Sequence, residues 1–143
     1  MTDATRPTVD VDRLMAIELF AELDHHDLAQ VARWAREVRA ERGAVLFEQG
    51  GLPFELFVIE DGEVEIVRDG EVLGTVGPGE PVGEMSVLRG ERRMASVRAV
   101  TPVTAIALSA EDLQEMSAEM PEVVRSMRRI TEERAARNAT RER

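Results

Sequence analysis

The feature that most constrains this chain is a series of short apolar segments between residues 45 and 108, separated by turns that mostly contain glycine. Strands this short, with a turn signal about every 8–12 residues, predict a β-sandwich or barrel. The Asp69-Gly70 pair between two of the segments is typical of a tight hairpin. The predicted strands cover residues 45–47, 56–59, 64–67, 72–76, 96–99 and 103–108.

Helical patterns flank these strands on both sides. Apolar residues at helical spacing begin at Leu14, and Asp24 is predicted to cap a second helix, with the acidic Asp27 at its third position. After the last strand, Ser109 is predicted to cap one helix and Pro121 to begin a longer one. The fold class is therefore mainly β with flanking helices: an antiparallel, jelly-roll-like β-roll, with helices before and after it.

The composition excludes several classes of function. A net charge of −10 argues against nucleic acid and against anionic membranes, and no apolar run approaches the roughly 20 residues that span a bilayer. The polar N-terminus has no apolar signal segment, so we expect a cytoplasmic location. Cysteine is absent, and His25-His26 has no evident third ligand, which predicts no metal. No catalytic arrangement has a recognisable spacing, which predicts that the protein is not an enzyme.

The segment that carries chemistry lies between two predicted strands, at residues 83–97. Glu84 begins a predicted helix of six residues, which Gly90 ends. Such a helix presents free N–H groups and a partial positive charge at its start, and this suits an anion. Gly83 would let a ligand approach the backbone, while Arg93 can fork onto phosphate oxygens and Glu84 can accept from a sugar hydroxyl.

Simpler interpretations exist for these charged residues. Glu84 could favour only the helix dipole, and Arg93 could be a surface arginine, as Arg89, Arg92 and Arg98 are expected to be. The register of Gly83, Glu84 and Arg93 favours a ligand site.

The same residues resemble the phosphate-binding cassette of the cyclic nucleotide-binding domain family. That pattern runs Gly-Glu, an apolar helical turn, a glycine, and then Arg-x-Ala-Ser/Thr-Val. The resemblance extends upstream and covers about residues 14–135. The matching segments are Gly83-Glu84, Gly90, Arg93 to Val97, and upstream PGEPVGE at 78–84, LFEQG at 46–50 and IEDGEVEIV at 59–67.

The resemblance implies a role for each cassette residue. Glu84 would bind the ribose 2′-hydroxyl and Arg93 the cyclic phosphate, with backbone N–H groups completing the cradle. The predicted ligand-binding residues are Gly83, Glu84, Met85, Ser86, Arg93, Met94 and Ala95. A threonine after the arginine helps to bind guanine in the family, so Met94 favours cAMP over cGMP, although its bulk could also impair binding.

In the family the C-terminal helix closes over the base as a lid. No aromatic residue follows Phe57, so a lid here would use residues such as Met127, Ile130 or Asn138. Val123, Met127 and Ile130 form an apolar stripe that could pack on the β-roll or against a second copy, which would make a homodimer through this helix.

We therefore expect a disordered tail at residues 1–10, a cyclic nucleotide-binding domain at 11–137 with C-terminal helices at 109–137, and a charged tail at 138–143. The predicted function is a sensor of cAMP that transmits occupancy through its terminal helices. No helix-turn-helix follows, so the chain would be a stand-alone regulatory subunit or a fragment, acting on an effector protein or a fused effector domain. The alternative is a degenerate domain that binds no nucleotide and serves as an interaction or dimerisation module.

Overall fold

The structure is a computed structural model that describes residues 9–141, with side chains described through residue 137. Eight strands form two antiparallel four-stranded sheets. The strands are β1 Arg36–Ala40, β2 Val45–Phe47, β3 Glu55–Asp61, β4 Val64–Arg68, β5 Glu71–Val76, β6 Pro81–Val82, β7 Ser96–Ala99 and β8 Val103–Ser109. Their orders in the two sheets are β1-β8-β3-β6 and β2-β7-β4-β5. This arrangement confirms the predicted jelly-roll-like fold class.

Helices precede, interrupt and follow the sheets. A 3₁₀ turn at Glu18–Phe20 lies between the first two helices. The α-helices are α1 Val11–Met15, α2 His25–Ala32, α3 Glu84–Arg89, α4 Ala110–Glu119 and α5 Pro121–Arg141.

Local side-chain chemistry sets several of these boundaries as predicted. The Asp24 carboxylate accepts a hydrogen bond from the backbone N–H of Asp27, and Ser109 forms a reciprocal capping box with Asp112 at the start of α4. At the β4–β5 hairpin, Asp69 has φ of 53° and Gly70 has φ of 81°. Positive φ at both central residues is what the tight hairpin turn requires.

The predicted N-terminal boundary needs a correction. Val9 is buried in the core and Asp10 caps α1, so both belong to the folded domain and not to a disordered tail. The rest of that predicted tail, residues 1–8, lies outside the described residues. At the other end, helix α5 continues into the predicted charged tail as far as Arg141.

Two strands escaped the sequence analysis. β1 has the sequence Arg-Glu-Val-Arg-Ala, in which charged residues hide the alternation of a strand. Its charges are paired with other parts of the chain: Glu37 with Arg13 on α1, and Arg36 with Glu55 on β3. β6 has only two residues, too few to produce a pattern.

The interior has two apolar clusters, divided by the sheet that contains β3 and β8. Along β3, Leu56 and Val58 face the helices, while Phe57 and Ile59 face the inside of the roll. The same alternation along β8 places Ile106 with the helices. Strands β3 and β8 are therefore buried on both faces, and Val82 and Val97 of the inner cluster line the candidate site.

Candidate functional site

Helix α3 and its two flanking glycines build one wall of the site. Gly83 precedes the helix with φ of 77°, and Gly90 ends it with φ of 69°, a left-handed conformation that glycine adopts without steric cost. A Cβ at Gly83 would lie 2.5 Å from the Arg93 Nη1 atom and 2.9 Å from the Phe47 ring. Gly83 is therefore required both for its backbone angle and for the space that its neighbours occupy.

Arg93 lies beneath this wall, with only 4% of its surface exposed. Its Nη1 donates to the Gly83 carbonyl at 3.1 Å and to the Ser86 hydroxyl at 2.9 Å, and its Nη2 donates to the Glu55 carbonyl at 2.5 Å. The Nε atom is buried and has no hydrogen-bond partner. Burial lowers the pKa of the guanidinium, because desolvation penalises its charge.

Backbone hydrogen bonds fix Arg93 from the opposite side. Its N–H donates to the Gly51 carbonyl at 2.9 Å, and its carbonyl accepts from the Gly50 N–H at 2.8 Å. The neighbouring Arg92 is exposed, and its side chain donates to the Gly50 carbonyl at 2.9 Å. Of the two adjacent arginines, register therefore places Arg93 inside and Arg92 outside, as the sequence predicts.

Glu84, the first residue of α3, is the acidic group of the site. Its side chain is 12% exposed, and the Oε2 atom lies 4.0 Å from the Nε of Arg134. Burial raises the pKa of this carboxyl group, and the effect is opposed first by its own backbone N–H and then by the charge of Arg134. A buried carboxylate of this kind is a strong acceptor for a hydroxyl donor.

Arg134 is a site residue that the sequence analysis missed. It belongs to the Arg- and Glu-rich end of α5, which we expected to be a solvated helix face, yet its side chain is only 14% exposed. It donates to Glu18 at 2.6 Å, and its Nε is buried without a hydrogen-bond partner. Arg134 approaches the site only because the fold brings positions 84 and 134 together, and no local sequence pattern predicts that approach.

The walls enclose a cavity of about 630 Å³ between α3, the β4–β5 hairpin and α5. This volume lies within the range of small-molecule sites. All seven predicted residues line it: Gly83, Glu84, Met85, Ser86, Arg93, Met94 and Ala95. The structure thus brings the predicted set together, and their binding of a ligand stays a prediction.

The predicted lid residues need a correction. Met127 and Ile130 are buried in the helical cluster and do not line the cavity, whereas Arg134 does. The Asn138 side chain lies outside the described residues. Because Val123 packs in the same cluster, the apolar stripe of α5 rests on the domain's own core, the first of the two alternatives. A homodimer through α5 would need another surface.

Comparison with known proteins identifies the family of this chain. The profile of the cyclic nucleotide-binding domain matches residues 37–120, more than half of the chain. The chain belongs to the cyclic nucleotide-binding domain family. A cyclic nucleotide-gated potassium channel of Rhizobium etli is 31% identical over 119 residues, which are 83% of this chain and 33% of the channel.

Solved structures share the architecture of this chain. The N-terminal domain of a transcriptional regulator from Streptomyces coelicolor is 34% identical, with a TM-score of 0.74 over 91% of this chain and 95% of that one. A cyclic nucleotide-binding domain from Methylobacillus flagellatus is 25% identical, with a TM-score of 0.77 over 92% of this chain and 79% of that one. The chain spans about a third of the length of the potassium channels it matches.

None of the helices within residues 9–141 combines the length and hydropathy needed to cross a membrane. Within the same residues, no group of three or more histidine or acidic side chains is placed to hold a metal ion.

Proposed function

We propose that this domain is a sensor that binds a cyclic mononucleotide, cAMP in preference to cGMP, without catalysing a reaction. The observation that carries the proposal is the state of Arg93. It is a buried cation on the wall of the cavity, and no carboxylate of the described residues pairs with it. A buried charge is costly unless something compensates it, and a ligand anion would do so.

The geometry of the guanidinium suits a phosphate. An arginine has five N–H donors, and the three hydrogen bonds of Arg93 leave the one at Nε and one at Nη2. Nε and Nη2 share one edge of the planar group, which is the arrangement that grips two oxygens of one phosphate. The first N–H groups of α3 have no partner within the helix and add further donors.

The acidic side of the cavity suits a sugar. Glu84 lines the same cavity as Arg93, so one compact ligand can contact both. A ribose 2′-hydroxyl would donate to the Glu84 carboxylate, while the ring phosphate lies at Arg93. Loss of that donor would leave a buried charged acceptor without a partner, which is unfavourable.

The expected preference for cAMP comes from Met94. Met94 is 56% exposed, lines the cavity and offers no hydroxyl to a guanine base. A site that cannot pair a buried polar group discriminates against the ligand that carries it.

The proposed output of the sensor runs through α5 to an effector, in the cytoplasm. The helix holds the end of α3, because Arg128 donates to the Leu88 carbonyl and Glu132 pairs with Arg89 at 2.5 Å. The similarity to a potassium channel and to a transcriptional regulator supports an effector domain fused to this one. The alternative is that the effector is a separate protein.

Calorimetric titration with cAMP, cGMP and 5′-AMP side by side tests the proposal. We expect saturable binding of one cAMP per chain, weaker binding of cGMP, and the weakest binding of 5′-AMP, whose phosphate is not closed onto the ribose. Equal binding of cAMP and 5′-AMP would indicate a general nucleotide site. No binding of any ligand would refute the proposal in favour of a ligand-free interaction module.

A further inference from the structure

Arg93 differs from the other buried or half-buried arginines in what it contacts. Arg13, Arg36 and Arg134 each have a glutamate partner. Among the described residues, no carboxylate lies within 4.0 Å of Arg93, although Glu55 and Glu84 are close by. Glu55 gives Arg93 its carbonyl but directs its carboxylate to Arg36, and the nearest cation to the Glu84 carboxylate is Arg134.

The group that lies against the Arg93 guanidinium is the ring of Phe47, whereas the other three arginines have a glutamate there. The Cζ atom of Arg93 lies 3.8 Å from the centre of that ring, well inside the distance at which a cation and an aromatic face attract. On β2 the ring is half-buried, and it also stacks on Phe57 at 6.2 Å between centroids, with an angle of 17° between planes. Gly83 leaves room for this contact, since a Cβ there would press on both groups.

We propose that Phe47 is the electrostatic partner of Arg93 and a positioning residue of the site: its ring holds the guanidinium in place without neutralising it. A carboxylate in the same position would take up the free N–H donors and repel a phosphate. The face of an aromatic ring attracts a cation through its quadrupole, carries no net charge, and leaves the N–H groups in the guanidinium plane available. This inference rests on the proposed function for its consequence, but the contact itself can be tested without any ligand.

The first test measures unfolding of the ligand-free 143-residue chain in a double-mutant cycle of Phe47→Leu and Arg93→Gln. We expect Phe47→Leu to lower the folding equilibrium constant about 2- to 30-fold more in the wild-type background than beside Arg93→Gln, because the cation–π contact exists only in the former. Equal losses in both backgrounds would show that Phe47 acts only by filling space, and would overturn the proposal.

The second test changes the charge distribution of the ring while nearly preserving its size. Mono-, di- and trifluorinated phenylalanine at position 47 should lower cAMP affinity stepwise, by about 2- to 30-fold in total, because fluorine withdraws electron density from the ring face. The matched control is the same series at Phe57, whose ring stacks on Phe47 and belongs to the inner apolar cluster, while the Arg93 guanidinium lies over the Phe47 ring. Flat affinity across the series at position 47, or equal trends at both positions, would overturn the positioning role.

The two tests separate this inference from the proposed function. If the wild type binds no cyclic nucleotide, the proposed function fails, and with it the role of Phe47 in ligand binding. The unfolding cycle then still decides whether the ring is the partner of the cation. If cAMP binds and the fluorinated series is flat, the positioning role fails while the proposed function stands.

Discussion

Replacement of Arg93 by alanine is the sharpest single test of how the site works, because Arg92 beside it provides a matched control. The two side chains have the same chemistry and adjacent positions, but one is buried in the cavity wall and the other is exposed. We expect Arg93→Ala to abolish most of the affinity for cAMP and Arg92→Ala to change it less than about twofold, as is usual for a surface substitution.

The expected magnitude follows from the donors that Arg93 has left. The N–H at Nε and one N–H at Nη2 have no acceptor within the described residues, and a hydrogen bond to a charged group contributes about 1.5–3 kcal/mol. At the lower end, two such bonds amount to about 3 kcal/mol, or roughly 150-fold in the dissociation constant. Arg93→Ala also removes the donor that satisfies the Gly83 and Glu55 carbonyls, so the unliganded protein should lose about 1–3 kcal/mol of stability.

Calorimetric titration of both variants with cAMP, after thermal unfolding has shown that each is folded, provides the measurement. Equal losses of affinity from the two substitutions would mean that the phosphate does not bind at Arg93. A loss of stability in Arg93→Ala with no loss of affinity would mean that the buried arginine is purely structural.

Four further results are expected. 2′-Deoxy-cAMP should bind about 5- to 150-fold more weakly than cAMP, and Glu84→Gln should narrow that gap; identical affinities for the two ligands would remove Glu84 from the ribose site. Burial raises the pKa of the Glu84 carboxyl group above its ordinary 4.5. The group therefore contributes to folding stability below about pH 4.5, where it is protonated, and this contribution is lost as the pH rises through the raised pKa. Glu84→Gln should therefore raise the melting temperature at about pH 7, and the gain should disappear in acid; a lower melting temperature at neutral pH would contradict the assignment. Met94→Thr should raise the affinity for cGMP relative to cAMP by about 2- to 12-fold in competition titrations, and an unchanged ratio would place Met94 away from the base. Amide hydrogen exchange should slow on cAMP binding within residues 132–137 and change little in 121–131, where the apolar face of α5 is already buried. Equal protection of all these residues with and without ligand would mean that α5 does not respond to occupancy of the site.

Much of the site was predictable because its signals are local. A glycine, an acidic residue and an arginine in fixed register define the cassette, and the helix α3 begins and ends at the predicted residues, Glu84 and Arg89. Caps act over three residues and the β4–β5 turn over two, so Asp24, Ser109 and Asp69-Gly70 could be interpreted with no knowledge of the rest of the chain.

The parts that escaped prediction depend on distant pairings. Phe47 and Arg93 are 46 positions apart, and Glu84 and Arg134 are 50 apart, so no periodicity or spacing connects them. The Arg- and Glu-rich composition of the α5 end predicts a solvated face, and this is wrong for Arg134: it resembles its exposed neighbours in sequence, but its side chain lies against the cavity. Met127 and Ile130 were wrongly considered for the lid because an apolar stripe alone does not say which surface it will cover.

The two-sided burial of β3 and β8 has a consequence for how this domain can be subdivided. The family profile covers residues 37–120, which leaves α1, α2 and α5 outside it. A chain trimmed to those limits would lose Leu14, Val31 and Met127, which share one apolar cluster with Leu56, Val58 and Ile106, and would expose part of that cluster to water. Exposed apolar surface promotes aggregation, so we expect the smallest unit that folds without aggregating to begin near Val9 and to include most of α5.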